Sequence, residues 1–132
     1  MTALGEIQNA IYSSLTGDPT IMGKITGVFD NVPGGQAYPY VVIGDAKELS
    51  VDTFSRCGRE ITETIHVWSE AQGFEEAINI LGDINRLLDR ANLTLTGFIT
   101  VRCAYESAET LRDPDGVRRH VPVTYKILVE EE

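Results

Sequence analysis

The chain has 132 residues, 42% of them hydrophobic, with a net charge of −9 and an isoelectric point near 4.6. That length suits one domain over residues 1–132, with room for an ordinary packed core. The acidity argues against a protein that wraps nucleic acid, because phosphate binding is driven by lysine and arginine. The start, Met1-Thr2-Ala3-Leu4-Gly5-Glu6, lacks the basic and apolar regions of a signal peptide. The apolar runs fall far short of the ~20 residues a membrane helix needs, so no membrane partner is expected.

In chain order, Leu4, Ile7, Ile11 and Leu15 recur at helical spacing and predict a first helix from Thr2 to Thr16, with Thr2 as cap and Gly17 at its end. Asp18-Pro19 starts a turn or short helix. Gly27–Asp30 suits a short strand, and Pro33-Gly34-Gly35 a turn. Tyr40 onward alternates as a long strand whose polar tip, Ser50–Gly58, still carries Val51 and Phe54. The chain returns through Glu60–Trp68, the clearest half-buried strand, with Ile61, Ile65 and Val67 on one face. Thr62, Thr64, His66 and Trp68 take the other.

Ser69-Glu70-Ala71-Gln72 has the pattern of a capping box, and a helix is expected from Gln72 to Arg90. Phe74, Ala77, Ile78, Leu81, Ile84 and Leu88 form its apolar face, with Glu75, Glu76 and Asp83 outward. Leu93–Gly97 is a short alternating segment. Phe98–Leu111 then predicts a strand with Ile99, Val101, Cys103 and Tyr105 on one face. Asp113-Pro114-Asp115-Gly116 is the strongest turn signal. In the closing strand, Val121, Val123, Tyr125, Ile127 and Val129 alternate with polar residues, and Pro122 predicts an edge strand or a bulge. The sum is an α+β fold: a twisted antiparallel sheet of about four main strands, two main helices on one face, and long overhanging hairpins.

Catalytic chemistry finds little support. His66 and His120, the only histidines, stand in neither a GxSxG nor an HExxH pattern, and packing is the expected role of both. Glu60, Glu63, Glu106 and Glu109 are expected on solvated strand faces. Asp113 and Asp115 are explained by turn chemistry without a metal. Cys57 and Cys103, without a CxxC or a histidine pair nearby, are expected as reduced thiols of a cytosolic protein. No cofactor and no metal is expected, and the chain is not read as an enzyme. What stands out is the pair of hairpin tips. Val51, Phe54, Arg56 and Arg59 at one, and Arg112, Asp115, Arg118 and Arg119 at the other, are the candidate subunit-interface residues, because exposed strand ends and apolar tips are uncommon in monomers.

The order of these segments resembles a known family. Val32-Pro33, Tyr38-Pro39-Tyr40-Val41-Val42-Ile43-Gly44, Cys57-Gly58-Arg59-Glu60, Ile65-His66-Val67-Trp68-Ser69, Leu93-Thr94-Leu95-Thr96-Gly97 and Arg112-Asp113-Pro114-Asp115-Gly116 follow one another as in the tail-completion proteins. These are the tail-terminator or head–tail joining proteins of long-tailed phages and their prophage or gene-transfer-agent relatives. The resemblance implies a structural virion protein of the tail and neck, assembled in the host cytoplasm. It implies a homo-oligomeric ring, usually a hexamer, whose partners are the tail-tube protein and the head connector. DNA would pass nearby without specific binding, and no catalytic residues are carried over. The alternative is another neck or tail subunit, or a protein-binding adaptor, again without catalysis.

Overall fold

The computed structural model describes all 132 residues. Helix α1 (Leu4–Thr16) buries Ile7, Ile11 and Leu15 of the predicted stripe, while its first member, Leu4, is exposed. Its start lies two residues later than expected. Thr2 Oγ1 accepts from Leu4 N, and the larger part of the cap comes from far away: Ala3 N donates to Glu48 Oε2 at 2.7 Å. A carboxylate there also complements the positive end of the helix dipole. Helix α2 (Pro19–Met22) is capped by Asp18, which accepts from Ile21 N.

Strand β1 (Val28–Phe29) runs parallel to β2 (Tyr40–Ser50). β2 pairs antiparallel with β3 (Gly58–Ser69). After helix α3 (Glu75–Leu88) come β4 (Phe98–Ala108), β5 (Leu111–Arg112) and β6 (Arg119–Glu131). The six strands form one mixed sheet in the order β1-β2-β3-β6-β4, with β5 beside β6 beyond the end of β4. All main pairings are antiparallel; six strands replace the expected four. Helices α1 and α3 cover the face that carries Ile61, Ile65, Val67, Val121, Val123, Tyr125 and Ile127, all fully buried. The other face is open and half-buried.

Several local expectations are corrected. Pro122 lies in the central strand β6, opposite His66. Its carbonyl accepts from Glu109 N, so its missing N–H faces the break between β4 and β5, where no ladder partner is lost. The polar strand tip is shorter than two overhanging limbs would make it: β6 pairs with β3 over its full length, and only residues 51–57 project. The expected capping box does not start the helix. Ser69 ends β3, accepts from Ala71 N and donates to Glu76 at 2.7 Å, while Gly73, with φ of 76°, turns the chain before α3.

The inner face of α3 is Ala77, Ile80, Ile84 and Leu88, whereas Ile78 is exposed. Asp83, expected outward, is buried and bonds Lys24 at 2.7 Å, a cation supplied from beyond α2. In β4, Ile99, Val101 and Tyr105 are exposed while Phe98 and Cys103 are buried. Bulges at Thr100–Arg102 and Tyr105–Ser107 break the alternation, and each shifts the later side chains to the other face.

Candidate interaction surfaces

The projecting tip is internally ordered. Val51 N bonds Gly58 O, Gly58 N donates to Asp52 Oδ1, and Thr53 and Arg56 close a turn between them. A Cβ on Gly58 would lie 2.6 Å from Val51 O, so only glycine permits this approach. Arg59 is drawn inward onto Asp52 at 3.3 Å and onto the Gly58 carbonyl. Arg56 leans toward the Glu131 carbonyl, and Glu131 N donates to Cys57 O, tying the tip to the end of β6. Phe54 has no such anchor: its side chain stands fully in solvent, beside a partly exposed Val51. A hydrogen-bonded loop thus presents a bare phenyl ring to solvent.

Arg112, Asp115, Arg118 and Arg119 lie at the opposite end of the strands. Asp115 accepts from Val117 N and Arg118 Nη1, so its role is to shape the turn, and these bonds hold its carboxyl below the usual range. Arg118 sits over the Tyr38 ring; Arg112 and Arg119 both sit over Phe74 at 5.5 and 5.6 Å. The two predicted groups are therefore not one site, but two poles.

On the open face, His66 Nδ1 and His120 Nε2 are 2.6 Å apart, and the Trp68 and His120 rings stack at 4.0 Å with 4° between their planes. Burial pushes both imidazoles below 6.5, and for His120 the charge of His66 adds to this. One ring donates and its partner accepts, so each histidine satisfies the other within the packed face. Gly44 makes room for it; a Cβ there would lie 2.5 Å from His66 Nε2. The open depressions of about 490 and 520 Å³ along α3 and α1 are lined by neither histidine.

Of the four glutamates, Glu60 and Glu106 line one groove with Lys126, and Glu109 is exposed. Glu63 departs from the expectation. It faces the helices, is 2% exposed, and its Oε2 has no partner. Burial pushes its carboxyl up to about 8, with Asp45 and Asp30 adding to the effect. Strict alternation from Ile61 to Ile65 marks position 63 as inward, and that was the available signal. Cys57 is exposed at the tip, whereas Cys103 is buried with its thiol pushed up to about 11.

Comparison with known proteins defines the class first. A chain of the native gene transfer agent virion superposes with a TM-score of 0.91, at 25% identity, over 98% of both chains. The structure of bacteriophage SPP1 gp17 superposes with a TM-score of 0.65, at 25% identity, over 95% of this chain and 89% of that one. The tail completion protein gp17 of Bacillus phage SPP1 is 31% identical over 114 residues, 86% of this chain and 84% of that protein. The family model for tail completion protein gp17 matches residues 9–130. The chain belongs to the tail completion protein gp17 family and is a structural protein of the virion tail and neck.

Proposed function

We propose that this chain assembles as a closed homo-oligomeric ring, with six copies the expected number, that caps the tail tube and joins it to the head connector. It acts without catalysis. The observation that supports this most is the likeness along 98% of the chain to a subunit of an assembled gene transfer agent particle. The tip with Phe54 supplies an arm for a neighbouring subunit or the tube, and the Arg112–Arg119 pole offers a chemically different surface at the other end of the strands. Two unlike poles suit a ring that meets two unlike partners. With a net charge of −9, a duplex passing through has little reason to adhere to the wall.

Depletion followed by add-back tests this. Particles assembled without the chain are expected as separate heads and tails of irregular length, and purified protein restores joined particles. Normal joining and normal tail length in its absence would refute the proposal.

A further inference from the structure

Phe54 is the large apolar side chain most open to solvent, and it stands on a loop that hydrogen bonds close between Val51 and Gly58. Aromatic side chains dominate the energetics of interfaces when they are buried there. A groove of matching size lies on the open face of the sheet. Across β3, β6 and β4, Glu60 stands opposite Leu128 and Leu128 opposite Arg102, while Lys126 stands opposite Ala104. The short side chain of Ala104 leaves a depression of about 280 Å³ among the longer Arg102, Glu106 and Lys126, with Leu128 beside it. A cavity of about 150 Å³ suffices for a benzene ring. The ring of Phe54 stands in solvent, so it does not fill the groove of its own chain.

The charges around the two features also match. In the groove, Lys126 is held by Glu106 at 3.7 Å, whereas Glu60 and Arg102 have no ion-pair partner. Lys47, opposite Thr62 on β2, does not reach Glu60. In the tip, Arg59 is held by Asp52, and Arg56 has no carboxylate within ion-pair distance. The bond from Glu131 N to Cys57 O fastens the chain end, Glu131–Glu132, beside the tip. The tip thus offers a cation for Glu60 and carboxylates for Arg102, at the rim of an apolar contact. Arm and groove also lie at one end of the sheet. Glu60 is two residues inside the end of β3, roughly 7 Å along the strand. Copies standing side by side in one orientation hold the tip of one and the groove of the next at nearly the same level.

We propose that Phe54 of one copy seats in the groove of the neighbouring copy, over Ala104 and Leu128, with Arg56 beside Glu60. The contact is heterologous: each copy gives an arm on one side and receives one on the other, and the repeat closes into a circle. The inference rests on the ring proposed above and deepens it, assigning the arm to a second copy of this chain rather than to the tube.

Two variants and a cross-link test it, with circular dichroism verifying the fold. Phe54→Ser removes the arm, and Ala104→Phe fills the groove. Each is expected to raise the protein concentration at which rings form by about tenfold or more, the usual effect of losing an anchoring contact. Light scattering and electron microscopy, with and without tail-tube subunits, measure it. Benzoylphenylalanine in place of Phe54, photolysed in assembled rings, is expected to give a covalent dimer joined to residues 102–106 or 126–128. Rings of Ala104→Phe that form as readily as those of the parent chain, or cross-links from position 54 only to other residues or to tube subunits, overturn the arm-in-groove contact and leave the ring standing. A parent chain that forms no closed oligomer even on tubes removes the ring, and this contact with it.

Discussion

Glu63 is the residue whose environment has the clearest measurable consequence. Its carboxyl holds its proton more tightly folded than unfolded, since burial raises it from 4.5 to about 8. Its contribution to stability is therefore full below about pH 4.5 and is lost as pH rises toward 8. His66 and His120 act in the opposite sense: both are pushed below 6.5, so they withdraw stability as pH falls under that value. In Glu63→Gln, thermal denaturation across pH 6.5–8 is expected to lose most of its decline with rising pH. An unchanged slope would show that Glu63 ionises freely. Gly44→Ala is expected to cost about 1–3 kcal/mol by denaturant titration, because the added methyl meets His66 and the Thr64 carbonyl. Neither effect was legible as a site in the sequence. Glu63 looked like one more glutamate among threonines, and only its place between Ile61 and Ile65 gave it away. The histidines were legible as packing residues, but not as partners, because they are 54 positions apart.

Among the elements, α1 and the β2–β3 hairpin are coupled through Glu48. Glu48→Ala is expected to destabilise the protein by about 1 kcal/mol, the usual loss for a helix cap. The hairpin tip is expected to be separable from the fold: Phe54→Ser should leave stability within about 0.5 kcal/mol, since the ring touches nothing, while weakening assembly on tail tubes. Unimpaired assembly would take the tip out of the interface. Strands β3 and β6 were legible because their alternation is regular and one face is buried, whereas β2 has buried residues only up to Ile43, before a bulge of its own. β4 was not, because its bulges reset the inward face twice, and bulges leave no mark in the residue types. Pro122 misled for a related reason. An imino residue is excluded from a central strand only where its N–H has a partner to lose, and the end of β4 removes that partner. The start of α3 was misplaced because Ser69 caps a turn with the same chemistry that caps helices.

At the scale of the whole molecule, the fold distributes its surface unevenly: a bare Phe54 ring at one pole and arginines stacked on Phe74 and Tyr38 at the other. The family was legible from the order of short segments, although none of them carries chemistry. Which strands end at the edges was not, since strand order does not follow from strand identity. We propose above all that this chain ends a tail tube. Purified tail-tube subunits polymerised with and without the protein, and measured by electron microscopy, test it most directly. The expected result is a ring of density at one end of each tube and an arrest of lengthening there. Tubes that continue to grow, with both ends bare at saturating protein, would contradict it.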